Sequence, residues 1–151
     1  CGTGLAIYTI SGYRAGSAAG LATLQQIDEL GLVDHAAEVG AHLLEKLQSL
    51  RKYDVVGDVR GLGLICGVDL VTDRECKQPN QPFAAKVVYR CWQLGLILFY
   101  AGAWGNALEI TPPLILTKAE VDEGVAILDQ AIADVLAGVV SDEEVAAYAG
   151  W

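Results

Sequence analysis

The side chains that could do chemistry in this 151-residue chain are few and scattered. The cysteines are Cys1, Cys66, Cys76 and Cys91, with no CxxC or other metal-ligand spacing. Cys66 sits in an alternating apolar run and Cys91 on a helical stripe, so both read as buried, reduced thiols. His35 and His42 are seven apart on a helical pattern. Two turns separate them by about 10 Å, too far to share one ion, so they read as surface or boundary residues. Lys46, Lys52, Lys77, Lys86 and Lys118 fall on polar faces or in loops, and none looks desolvated as a Schiff-base lysine must be. Arg60 can clamp a carboxylate, or pair with Asp58, Asp69 or a neighbouring chain. Glu109 is a lone carboxylate in a strand pattern, a solvated or salt-bridged group by residue type alone. Thr9 is a hydroxyl in an apolar segment, the pattern of a core-edge residue. No GxGxxG, Walker loop, HExxH, GxSxG or zinc pattern is present.

The element that must position these groups is the stretch Gly57 to Leu70. Leu62, Leu64, Cys66, Val68 and Leu70 alternate, which predicts one face of a central strand. Gly61, Gly63, Ile65, Gly67 and Asp69 then form the opposite face, and its three glycines predict the close approach of another backbone or a bulky group.

Around it, Leu5 to Ile10 reads as extended chain. A helix rich in small residues follows, through Leu21, Leu24, Ile27 and Leu30, with Gly31 as its cap. So many small residues in its first turns predict close packing on another element. A second helix carries Leu32, Ala36, Val39, Leu43, Leu47 and Leu50. Residues 72–80 are a polar loop, and a helix with Phe83, Val87, Val88, Cys91 and Leu94 inward ends at Gly95. Residues 96–100 read as a fully buried strand, and Ala107 to Thr111 as a strand stopped by Pro112-Pro113. Thr117-Lys118-Ala119-Glu120 and Ser141-Asp142-Glu143-Glu144 are capping boxes. The first opens a helix with Val121, Val125, Leu128, Ile132 and Val135 inward, closed by Gly138; the second opens a short helix through Tyr148. The order predicts an α+β arrangement: a small antiparallel or mixed sheet with helices on one face.

Composition narrows the partners. With 53% hydrophobic residues there is material for a core, and no disorder signature. Ten Lys+Arg against 19 Asp+Glu give a net charge of −9, which argues against nucleic acid and anionic membrane. No apolar run reaches the ~20 residues of a membrane span, and no signal-peptide pattern is read. Unpaired cysteines predict a reducing, cytoplasmic compartment. The chain begins at Cys1 and contains no methionine, which predicts residues upstream of it.

Four stretches together resemble one family. Gly57-Asp58-Val59-Arg60-Gly61-Leu62-Gly63-Leu64 with Gly67-Val68-Asp69-Leu70-Val71-Thr72-Asp73 is similar to the carboxyl-terminal part of class III (subgroup II) aminotransferases, which include 4-aminobutyrate and ornithine aminotransferases. Thr9-Ile10-Ser11-Gly12 with Ala18 to Leu24, Gly105 to Leu114, and Thr117 to Leu128 resemble further stretches of that family, in order. The resemblance implies an α/β fold-type I enzyme, with residues 1–31 ending the large domain that binds pyridoxal phosphate and residues 32–151 forming the small carboxyl-terminal domain. It implies transfer of an amino group between an amine or amino acid and a 2-oxo acid, with pyridoxal 5'-phosphate as electron sink, in a homodimer whose active sites lie at the subunit interface. It implies that Thr9 reaches the cofactor phosphate of the neighbouring subunit.

The departures are as informative. The family's Schiff-base lysine, its aspartate on the pyridine nitrogen and its main phosphate loop would lie upstream of residue 1. No catalytic residue is therefore expected in this chain, which alone should neither hold the cofactor nor transaminate. Tyr13-Arg14 stands where the family commonly has Asn-Pro or Ser-Pro. Glu109 stands where 4-aminobutyrate and ornithine enzymes carry an arginine for the substrate carboxylate. A carboxylate there repels an α-carboxylate, which implies an amine or other donor, or a carboxylate bound elsewhere. A lyase, decarboxylase or aminomutase of the same family, and a free-standing binding or oligomerisation domain, are the alternative readings. Leu5, Ala6, Ile7, Leu21, Leu24 and Ile27 would pack on an absent half, which predicts self-association.

Overall fold

A computed structural model describes residues 12–146. Thr9 and the predicted extended segment before Ser11 lie outside the described residues, as does Tyr148. The chain divides into two units, Cys1–Asp34 and His35–Trp151.

In the first unit, α1 (Arg14–Glu29) starts after Gly12 and ends where Gly31 takes φ +59°, a left-handed cap that costs glycine nothing. None of its residues is buried, and Leu21 and Leu24 are exposed. The close packing expected of its small residues has no counterpart among the described residues.

The second unit contains a four-stranded antiparallel sheet of order β1-β2-β4-β3. The strands are β1 (Val56–Leu62), β2 (Ile65–Leu70), β3 (Phe99–Ala101) and β4 (Ala107–Ile110). Helices α2 (Leu32–Gln48), α3 (Gln81–Gln93), α4 (Lys118–Leu136) and the short α5 (Asp142–Ala146) supply the rest of the core. The helical stripes behave as their periodicity predicts. Val39, Leu43 and Leu47 of α2, and Val121, Val125, Leu128, Ile132 and Val135 of α4, are all buried. Each such side chain contributes about 1.5–3 kcal/mol relative to exposure. Both capping boxes form: Thr117 Oγ1 accepts from Glu120 N while the Glu120 carboxylate accepts from Thr117 N, and Ser141 and Glu144 do the same. Asn80 caps α3, its Oδ1 accepting from Phe83 N at 3.2 Å.

Two strand assignments need correction. Residues 57–70 are a hairpin of two strands. Leu62 pairs with Ile65, leaving the two-residue loop Gly63-Leu64 with φ +56° at Gly63, as in a type II′ turn. The turn inverts the alternation, so Leu62 joins the solvent face while Leu64, Cys66, Val68 and Leu70 stay buried. The three glycines therefore share no face. Gly61 lies under the Cys66 sulfur, Gly67 opens on the outer face, and Gly63 meets α2, where a Cβ on Gly40 would collide with the Gly63 carbonyl. A close backbone approach exists, but at the turn. Residues 96–100 alternate rather than bury completely, with Ile97 and Phe99 exposed. Strand β3 is an edge strand of a sheet covered by helices on one face only, so every second side chain meets water.

Candidate functional site

The register of the sheet determines which polar groups meet. In an antiparallel pair, directly opposite residues project from the same face. Arg60 opposes Gly67, Gly67 opposes Glu109, and Glu109 opposes Phe99. These four residues form one row across the outer face. The neighbouring row is Asp58, Asp69, Ala107 and Ala101. Beyond the first row on the other side lie Leu62, opposite Ile65.

The two rows hold an ion network. Arg60 binds Asp69 through both terminal nitrogens, Nη1 to Oδ2 at 2.7 Å and Nη2 to Oδ1 at 2.9 Å, a fork-to-fork pair. Its Nη1 also donates to Asp58 Oδ2 at 3.2 Å, and Arg51 Nη2 donates to Asp58 Oδ1 at 2.9 Å. Burial pushes the Asp58 carboxyl up, but the hydrogen bond from Arg60 outweighs it with the help of the Val59 amide, and the group sits below the usual aspartate range. The Arg60 guanidinium is raised, chiefly by the Asp69 hydrogen bond. Arg60 is thus an intramolecular ion-pair residue.

Glu109 differs. It is exposed and has no hydrogen bond or ion pair to any described residue. On one side is the bare backbone of Gly67 and on the other the 70% exposed ring of Phe99. The strand's next residues, Ile110 to Pro113, border a cleft of about 370 Å³ between the sheet and helices α2 and α4, lined mainly by leucine, isoleucine, valine and proline, with Glu109 at its rim and Glu120 among its polar groups. An unpaired carboxylate next to an aromatic ring and an apolar cleft suits a cationic group carrying an apolar part.

The other candidates lie elsewhere. His35 Nε2 donates to Leu116 O at 2.9 Å, and His42 Nε2 lies 2.9 Å from Asp122 Oδ1, so each ties α2 to the start of α4. Asp122 is held below the usual range by Lys46 first and His42 second. Cys66 and Cys91 are buried, and burial pushes the Cys91 thiol up to about 12. Neither can act as a thiolate near neutral pH.

The lysines decide whether these residues could hold pyridoxal phosphate. Lys46, Lys52, Lys86 and Lys118 are committed to Asp122, Asp129, Asp142 and Glu38, and Lys77 is exposed in the loop after β2. Lys86 borders a cavity, but its ammonium is held by Asp142 at 2.8 Å, and Lys77 borders another while exposed to water, so none is a free, desolvated amine. The described residues therefore do not fit the cofactor, and no chemical step is assigned to it in this chain.

Two arrangements are not evident from residue types alone. Phe99 was hidden in an apolar run, although alternation of Ile97 and Phe99 with Leu98 and Tyr100 is a legible cue for a one-sided strand. The half-buried pair of Arg90 Nε and Asp134 Oδ2, 2.7 Å apart, joins α3 to α4 across 44 residues and leaves no local signal.

Comparison with known proteins places the chain. The profile of the family Aminotransferase class-III matches residues 8–132. A leucine/methionine racemase of Thermococcus litoralis is 42% identical over 95% of this chain, which covers 32% of that protein. An alanine–glyoxylate aminotransferase 2 homolog of Arabidopsis thaliana is 40% identical over 80% of the chain and 26% of its own length. Among solved structures, an amine transaminase from an uncultivated Pseudomonas species, in its PLP-bound form, superposes with a TM-score of 0.77 at 38% identity, over 85% of this chain and 29% of that one. The chain spans a third or less of the length of these proteins. The sheet with its covering helices is a fragment of the fold-type I architecture of pyridoxal-phosphate transaminases. Profile, relatives and fold agree, and the chain belongs to the class III aminotransferase family.

Proposed function

We propose that this chain is the carboxyl-terminal part of a pyridoxal-phosphate enzyme that moves an amino group between an amine or amino acid and a 2-oxo acid. The family match over residues 8–132 carries the reading. Pyridoxal phosphate, when bound, supplies the electron sink, and the rest of the parent polypeptide holds it. Residues 1–31 belong to the large domain and 32–151 to the small one. Thr9 donates its hydroxyl to the cofactor phosphate of the neighbouring subunit in a cytoplasmic homodimer. Glu109 faces the substrate and disfavours a carboxylate at that position. Its exposure and its lack of a partner among the described residues support that role. Kinetics of the full-length parent and its Glu109→Arg variant test it: the variant should gain preference for carboxylate-bearing donors, and an unchanged preference removes Glu109 from the site.

A second reading is racemisation, supported by the 42% identity to a leucine/methionine racemase. It needs the substrate carboxylate held away from Glu109. The full-length parent separates the two. Transamination consumes the donor only when a 2-oxo acid is supplied, whereas racemisation inverts an L-amino acid without one.

A further inference from the structure

A cavity of about 530 Å³ lies at the end of the hairpin away from its turn, where the loop after β2 and the β3–β4 loop meet it. Its polar groups are Asp58, Asp69, Lys77 and Asn106, its aromatic wall is Trp104, and Gly57 gives it bare backbone. The two carboxylates are already occupied. Asp58 accepts from Arg51 at 2.9 Å and from Arg60 at 3.2 Å, and Asp69 takes both terminal nitrogens of Arg60. Lys77, at a left-handed φ of +50°, has no ion pair or side-chain hydrogen bond with any described residue. Its ammonium is therefore the uncompensated charge of the cavity. Asn106 is only 9% exposed. Its Nδ2 donates to Leu70 O at 2.9 Å, which fixes the way the amide lies. Its Oδ1 is then an acceptor with no hydrogen bond from any described residue, yet it is not sealed off, and the cavity is the access to it. A buried amide satisfied at one end favours a partner that completes it. Trp104 is 72% exposed, in a turn closed by Gly105 N donating to Gly102 O at 3.1 Å. Its indole offers a flat apolar surface for a ring to lie on.

We infer that this cavity is a binding site for a flat aromatic carboxylate that carries a hydroxyl across the ring from its acid group. The ring lies on the Trp104 indole, the carboxylate pairs with the Lys77 ammonium, and the hydroxyl donates to Asn106 Oδ1. The three contacts ask for three different features of one ligand: a flat face, a negative charge and a donor. Arg51 and Arg60 make the anion acceptable, because they neutralise the two aspartates that would otherwise repel it. The site is separate from Glu109 and does not rest on the amino-group reaction proposed above.

The test uses the 151-residue chain, free of cofactor and turnover, so its outcome is independent of the amino-group reaction. The labelled chain is titrated with 4-hydroxybenzoate, with benzoate, which lacks the donor, and with 4-hydroxybenzyl alcohol, which lacks the charge, while amide shifts are followed by NMR. Saturable shifts from 4-hydroxybenzoate are expected at residues 57–58, 69–71, 77–79 and 104–106. Benzoate should bind about two- to tenfold more weakly, the range of one net hydrogen bond. Lys77→Asn, which tolerates the left-handed backbone but removes the charge, should weaken 4-hydroxybenzoate about fivefold, the upper end for an exposed ion pair. The neutral alcohol should lose about as much. Trp104→Leu, which keeps apolar bulk without the ring, should weaken binding about two- to tenfold. Spectra unchanged elsewhere show that each variant is folded, and the comparison of ligands needs no variant. The proposal is overturned by the absence of saturable shifts in these segments, by benzoate or the alcohol binding as tightly as 4-hydroxybenzoate, or by an affinity that both variants leave unaltered.

Discussion

The two faces of the four-stranded sheet share one backbone and one set of hydrogen bonds, yet carry opposite chemistry. On the inner face Val59, Cys66, Val68, Leu108 and Ile110 are buried under helices, and their identities are set by volume. On the outer face Leu62, Ile65 and Phe99 are exposed beside a neutralised ion cluster and Glu109, which has no partner among the described residues. Packing therefore explains the inner residues completely. Packing within the unit does not explain why three large apolar side chains and Glu109 share the outer face. The comparison teaches that residues packed into the core and residues left to water alternate along the same strands.

The largest test of that division is Leu108→Ala, at a fully buried position of β4. It should cost about 2–5 kcal/mol in a urea melt, through lost transfer energy and a residual cavity. Gly40→Ala comes next, because its new methyl meets the backbone of Gly63, which cannot rotate away. A loss of about 1–3 kcal/mol is expected. If Gly40→Ala is neutral, the hairpin turn does not press on α2 as described. By contrast Ile65→Ser on the outer face should change the same midpoint by no more than about 0.5 kcal/mol. A cost like that of Leu108→Ala would show that the outer face is buried in solution and would break the comparison.

Acid should act through carboxylates that join helices. Arg90 first and Gln130 second hold the Asp134 carboxyl below its usual range, and Lys46 and His42 do the same for Asp122. The folded state therefore binds fewer protons than the unfolded chain. The stabilisation is complete above the ordinary carboxylate pKa near ~3.9 and is lost as pH falls through the lower folded values. Urea midpoints should drop on acidification below about pH 4, and Asp134→Asn should flatten part of that fall. The smallest effect concerns thiols. Among Cys66, Cys76 and Cys91, a thiol reagent at neutral pH should label only exposed Cys76 until the chain is unfolded, because the other two are buried and raised.

Much of this was legible in the residues. The stripe of α4, both capping boxes and the glycine stops at Gly31, Gly95 and Gly138 are local, and each was readable because its cause lies within a turn or two of chain. The resemblance that led to the family came from short runs of residues, and needed no coordinates. The hairpin is hidden in the sequence for a specific reason. A period of two continues smoothly across Gly63-Leu64 on paper, while a turn with positive φ reverses the chain and resets which side is inward. The one-sided exposure of residues 96–100 is not legible, because an apolar run does not reveal whether a second layer covers its far side.

The amino-acid sequence by itself determined the helices, their caps, the one-sided core and the family, since these depend on spacing, local hydrogen bonding and composition. Only the tertiary structure decided that Arg60 is committed to Asp69 and Asp58, that Gly40 meets Gly63, and that Glu109 stands between Gly67 and Phe99 without a partner among the described residues. Those facts depend on strand register and on elements distant in sequence, and a neighbour across a sheet has no fixed distance along the chain.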